Sequence, residues 1–318
     1  MGGAAQTVTR DALRWWAFGA TVLGAAVAVA WALAHPQLPV AVASVRTVAD
    51  IAGVLCLGLA AAPLLEEPRH QDELTRRGLP RLAVAGAVWL IAELIRLALV
   101  TAQAVSVRLT GLSLHTLVQF AVTTTPGRSA LFGIAAAVAV TVLAVAPGRG
   151  SATWRGLTIT AAAAGIAARA VTGHLSDSVT VGGLAVAVHA LAAALWCGSL
   201  AALTLTVSAR GQWARVLPAF SRLALWCVAV LLAGGVIAAL VEIGSPSRLL
   251  TDGYGRILLA KILVTAVLVV LAWRNRTGWL VAARGHRITA EASRTRSSAE
   301  LALMAVVLTL AAALSVTG

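Results

Sequence analysis

Charge is what this sequence has least of. Only 12% of its 318 residues are Asp, Glu, Lys or Arg, about half the roughly 25% of a soluble globular chain. That supply cannot cover a water-facing surface, so soluble enzymes, secreted scaffolds and nucleic-acid modules are excluded. Lysine is nearly missing: Lys261 stands alone and every other basic residue is Arg. Cysteine is scarce as well. Cys56, Cys197 and Cys227 all lie inside apolar runs, where no disulfide framework is expected. The only methionines are Met1 and Met304, which excludes a methionine ladder for a soft metal. No G-x-x-x-x-G-K-[ST] segment occurs, so nothing here would hold ATP. Acidic residues number 12 against 25 basic ones, a formal charge of +13. In a membrane protein such an excess is what the positive-inside rule produces.

What is present is apolar. Hydrophobic residues make up 59% of the chain and the mean hydropathy is +0.89. They come in runs long enough to cross a hydrocarbon core of about 30 Å. Nine helices are expected, over 15–34, 40–65, 82–102, 129–146, 155–172, 181–207, 220–243, 256–273 and 299–316. The first ends on Ala32-Leu33-Ala34, which resembles a signal cleavage site, but its apolar stretch is longer than a signal core of about 7–15 residues. It reads as a membrane span. With alternating loops, seventeen arginines fall on one side: Arg10, Arg14, Arg69, Arg76, Arg77, Arg81, Arg149, Arg155, Arg210, Arg215, Arg222, Arg274, Arg276, Arg284, Arg287, Arg294 and Arg296. Only Arg108, Arg128, Arg248 and Arg256 fall on the other. The N-terminus is therefore expected in the cytoplasm and the C-terminus outside. Trp15, Trp16, Trp154, Trp213, Trp273 and Trp279 fall where an inner aromatic belt would lie.

Several ionisable residues sit inside these spans: Arg46, Asp50, Glu93, Arg96, Arg169, His189 and Lys261, with Glu242 and Glu300 near span ends. Each costs at least about 2.5–3.5 kcal/mol at a helix centre, so such groups face a bundle interior and pair. Glu93 and Arg96, three apart on one helix, are placed to pair with each other. The segment 111–122, which carries His115, is too short to span and reads as a helix lying along the surface. Matching offsets leave two readings open, an internal repeat or unrelated helices that align by chance. His35 and His174 are 139 positions apart, as are Asp50 and His189. TTTPGR (123–128) is echoed by TDGYGR (251–256). The fold class is thus all-α, a polytopic membrane helical bundle of about nine spans. It forms one membrane domain over 1–318; on the repeat reading its parallel halves are 15–146 and 155–273, with an extra helix at 299–316.

On this topology His35, His115 and His174 face the outside. His189 lies about eight residues, roughly 12 Å, inside the sixth span. Asp177 adds a carboxylate beside His174. Imidazoles suit copper, zinc, iron and nickel, with copper(II) highest in the divalent affinity series. The three cysteines fall deeper, where they would either pack as small hydrophobes or offer soft ligands to copper(I). His70 and His286 lie in arginine-rich loops and read as solvated.

The residues from about 170 onward carry a resemblance. Gly173-His174 is followed by His189 with Trp196 and Gly198, then Phe220-Ser221, then Tyr254-Gly255-Arg256 leading to Lys261, then Glu300. In this order they are similar to the copper resistance protein CopD family of bacterial inner-membrane proteins. The family usually has an apolar residue and two glycines after the Trp of the sixth expected span (Trp196), where this chain has Cys197-Gly198-Ser199. Cys197 is therefore a local feature. The resemblance implies a non-enzymatic protein that moves copper inward across the cytoplasmic membrane. It implies a periplasmic CopC-like donor acting in trans, and members occur fused to a CtaG-like oxidase-assembly domain. The family histidines would map to His174 and His189, with Asp177, His35 and Asp50 as further candidate ligands and Glu93, Arg96 and Lys261 along the path. Two other functions compete: a copper-binding scaffold that metallates respiratory oxidase, and a b-type haem protein using membrane histidines.

Overall fold

The computed structural model describes residues 2–148, 150–172, 181–242, 252–281 and 289–317; the side chains of 2–16, 18, 170–172, 181–182 and 236–242 are not described. Among these residues the chain is helical with no strand. Ten helices run in order: α1 (Gly2–Ala34), α2 (Val40–Ala61), α3 (Gln71–Ala104), α4 (Leu114–Thr123), α5 (Thr125–Val145), α6 (Ala152–Thr172), α7 (Val181–Thr206), α8 (Arg210–Glu242), α9 (Gly253–Arg274) and α10 (Ala290–Thr317). Seven of them, α2, α3, α5, α7, α8, α9 and α10, are long and apolar enough to cross a membrane. Helix α6 has 21 residues, as α5 does. It is less apolar because it carries Arg155, Arg169 and four threonines. The described apolar part of α1 is the shorter stretch Gly19–Ala34.

Four helices run beyond the apolar windows at the arginine-rich end. Helix α3 begins at Gln71 rather than 82, α8 at Arg210 rather than 220, and α10 at Ala290 rather than 299, while α1 begins at Gly2. Hydropathy stops where charge begins, but hydrogen bonding does not. The extra turns of α3 hold Glu73 and Arg77 as an i,i+4 ion pair, the spacing that supports an exposed helix. Between α3 and α5, Ser113 caps α4 by accepting the Thr116 N–H at 3.1 Å, and Thr124 caps α5 through the Gly127 N–H at 3.0 Å. Leu114, Val118 and Val122 form an exposed i,i+4 stripe on α4, the face that a surface helix lays on lipid.

The middle of the bundle is the crossing of α2 and α7. A Cβ on Gly58 would collide with the Gly198 backbone, and one on Gly198 with the Val54 carbonyl. Only hydrogen side chains allow backbones so close, as small-residue contacts do in membranes. Helices α3, α5 and α6 pack on the α2 side, and α6 also reaches α7. Helix α10 packs against α1, α2, α7 and α9. The main core runs from Ala49 and Trp89 through Leu200 and Leu203 to Met304, and all three cysteines belong to it. A second core joins Ala34, Leu38, Ile257 and Leu314 at the opposite end from most arginines. There Arg256 Nε donates to the Leu33 carbonyl at 2.7 Å.

The arginine-rich end is laced together by side chains. Arg215 reaches Glu66 through Nε at 2.9 Å and Nη2 at 3.2 Å. Arg77 donates to the Thr206 carbonyl and to Ser208 and Gln212. Arg294 donates to the Val207 carbonyl at 3.1 Å. The aromatic belt is narrower than the sequence suggests. Trp213 and Trp279 are buried against each other with ring centroids 5.8 Å apart, and Trp279 Nε1 donates to Ser293. Trp273 stays exposed as a belt residue would. At this end aromatic area does more by filling the gap between α8 and α9 than by facing lipid.

Candidate functional site

Two polar sites lie inside the apolar bundle, one on each side of the α2–α7 crossing. The first joins α2, α3 and α6. Glu93 on α3 is fully buried. Its Oε2 accepts from Arg96 Nε at 2.9 Å, which is the i,i+3 pairing that the sequence predicts. Its Oε1 accepts from Trp89 Nε1 at 3.2 Å and faces Arg169 Nη2 at 2.6 Å. Arg169 also donates to Asp50 Oδ1, and Arg46 Nε lies 3.8 Å from Asp50 Oδ2. The Arg169 guanidinium stands 5.9 Å over the Trp89 ring. Space for the Glu93 carboxyl comes from α5: a Cβ on Gly133 would lie 2.9 Å from it. Five charged groups therefore share one buried network, three cations and two anions.

The second site joins α7, α8 and α9. His189 is half-buried and its ring lies beside the Leu231 backbone on α8. The ring rests on Gly234, where a Cβ would lie 3.3 Å from Nδ1. Lys261 on α9 is close enough for its charge to act on that ring.

Nearer the arginine-rich end a cleft opens between α8 and α9. Its walls include Trp196, Phe220 and Trp273. Two of its polar residues, Asn275 and Arg276, come from a local change of helix. At Asn275–Trp279 the chain leaves α9 in a π-turn, a feature that recurs at functional sites. Asn275 Nδ2 there donates to Glu300 Oε1, and Arg276 Nη1 donates to the Ser221 carbonyl at 2.8 Å.

The remaining residues singled out by sequence are spread apart. His35 is exposed in the turn after α1, its ring edge-on to Trp31 with centroids 4.8 Å apart. His115 is exposed on α4. His174 and Asp177 lie outside the described residues. Cys56, Cys197 and Cys227 are free and buried in the apolar core, the packing role open to them from sequence. Among the described residues no three His, Cys, Asp or Glu side chains gather as a metal site would need. Asp50 sits with arginines rather than with imidazoles.

What the sequence did not disclose is that Arg46 and Arg169 join Asp50 and Glu93 in one cluster. The available signal was that every in-span charge needs a partner.

Residues 36–184 match the family described as Copper resistance protein D-like, N-terminal domain. Residues 214–314 match Copper resistance protein D. No curated protein and no solved structure matches the chain.

Proposed function

Because the chain belongs to the copper resistance protein D family and is built of apolar helices able to span a membrane, we propose that it moves copper across the bacterial cytoplasmic membrane, inward. The arginine-rich end faces the cytoplasm in this reading, so the N-terminus is inside and the C-terminus outside. Copper is captured at the outer mouth by His174 and His189, helped by Asp177 and His35. Asp50, Glu93 and Arg96 form the wall on one side of the path and Lys261 the wall on the other. A periplasmic CopC-like protein would deliver the metal, and a CtaG-like assembly domain is the natural recipient on the oxidase side.

The observation that carries this reading is His189. It is an imidazole about 12 Å inside the bundle, beside the Leu231 backbone and packed on Gly234 of α8. A neutral imidazole is a common copper ligand.

The packing also supports a parallel repeat, with its register shifted by one helix from the sequence expectation. Helices α2 and α7 cross at Gly58 and Gly198. Helices α3 and α8 each carry an internal proline, Pro80 and Pro218. Helix α6 meets both α2 and α7, and so does α10. On this reading α2, α3, α5 and α6 pair with α7, α8, α9 and α10, and α1 is the added helix.

Purified protein in liposomes should accumulate copper inside, and His189→Ala should abolish the uptake while leaving the fold intact. Uptake no greater than in empty liposomes would overturn transport. Stoichiometric copper binding without flux would point instead to the oxidase-metallation scaffold.

A further inference from the structure

The buried network on α2, α3 and α6 has more donors than acceptors. Glu93 uses both oxygens, on Arg96, Arg169 and Trp89. Asp50 Oδ1 is taken by Arg169, and Oδ2 faces Arg46. Three buried nitrogens still have no partner among the described residues: Arg46 Nε, Arg96 Nη2 and Arg169 Nε, one from each arginine. The side chains of Arg96 and Arg169 are only 6% and 5% exposed. The charges of Arg96, Arg169, Asp50 and Glu93 all act on Arg46, so the groups share one neighbourhood. Three guanidinium groups and two carboxylates leave one positive charge over.

A buried donor without an acceptor is costly, and an uncompensated charge in a membrane interior more so. A water molecule would accept one of the N–H groups but leave the charge. A monovalent anion would do both. Entry is available on the α2 side, where the Arg46 and Asp50 side chains are 20% and 25% exposed while Glu93 is sealed. We propose that Arg46, Arg96 and Arg169 bind one small monovalent inorganic anion, halide-sized, at this network. Among the described residues the site holds no metal ligand set, and it does not depend on the copper reading.

Bromide is the probe. Protein purified with gluconate as the bulk anion should gain thermal stability on titration with sodium bromide. Anomalous diffraction should place bromide between the three arginines. Among the described residues the ion pair of Arg46 is the 3.8 Å one to Asp50, so Arg46→Gln should fold and weaken the bromide response at least tenfold. Asp50→Asn adds to the positive excess and should not weaken it. Equal unfolding midpoints in bromide and gluconate, a response to phosphate alone, or an Arg46→Gln variant with the parent's bromide response would each overturn the site. No copper enters the readout, so transport fails or stands separately.

Discussion

Replacing Arg169 with methionine tests whether the buried network holds the bundle together. The guanidinium makes charge-assisted contacts to Glu93 and Asp50. Hydrogen bonds to charged groups contribute about 1.5–3 kcal/mol each, and breaking one partner of a buried pair costs about 3–5 kcal/mol. At 5% side-chain exposure solvent does little to screen the loss. Arg169→Met also removes the surplus positive charge, which offsets part of it, so about 3 kcal/mol is expected. The protein supplies its own assay. Cys56, Cys197 and Cys227 are free and buried, and a thiol-reactive dye reports their exposure as denaturant is raised. Glu93→Gln should cost a similar amount. The double variant should cost less than the sum of the two by about 2 kcal/mol, the range of a direct coupling. Arg69→Met provides the contrast: Arg69 is 74% exposed beside Glu67, and a surface pair of this kind contributes next to nothing. If Arg169→Met unfolds within about 0.5 kcal/mol of the parent, the size of an ordinary surface change, the network is not what joins α6 to α2 and α3.

Three further outcomes rest on close contacts. Gly198→Val would drive a side chain into the Val54 carbonyl and the Gly58 backbone; the protein should fail to assemble, read as loss of the monodisperse peak in detergent. Gly133→Ala places a methyl 2.9 Å from the Glu93 carboxyl and should destabilise by about 1–3 kcal/mol, as overpacking does, with the loss reduced in a Glu93→Ala background. Gly234→Ala meets the His189 ring at 3.3 Å; it should lower copper uptake while the unfolding midpoint stays close to the parent's.

The helices were legible because length and apolarity fix them locally, residue by residue. Their ends were not, since α3, α8 and α10 continue into charged turns that a hydropathy window rejects. The Glu93–Arg96 pair was legible for the same local reason, three positions on one helix. Arg169 was visible only as a cation in need of a partner. Its carboxylate on Asp50 is 119 positions away on another helix, and nothing local says which of the in-span acids it would meet. Chain offset alone groups Asp50 with the histidines; packing sets it among arginines. Trp213 looks like a belt residue by its place in the chain, but the bundle closes over it. The part of the mouth formed by His174 and Asp177 falls outside the described residues, so that expectation stands on sequence.

The two sides of the crossing are closed to different degrees, and residue size explains it. Between α3 and α5 the contact is made by Gly86 against Thr141 and by Gly133 against Glu93, small residues that let the axes approach. Between α8 and α9 the facing side chains are Leu217, Phe220, Leu225, Val269 and Trp273, and the π-turn at Asn275–Trp279 shifts the register of the residues after it. Bulk on both faces keeps these helices apart and leaves the cleft. Trp196, Phe220, Ser221 and Glu300, which belong to the pattern shared with the copper resistance family, all line it. The α2–α3–α6 side carries a net positive charge that repels a cation. On the cleft side the buried carboxylate Glu300 is bonded to the neutral Asn275 amide rather than to an arginine. On the transport reading proposed above, the arginine network is the wall on one side of the path, and the cleft lined by α7, α8 and α9 lies on the other.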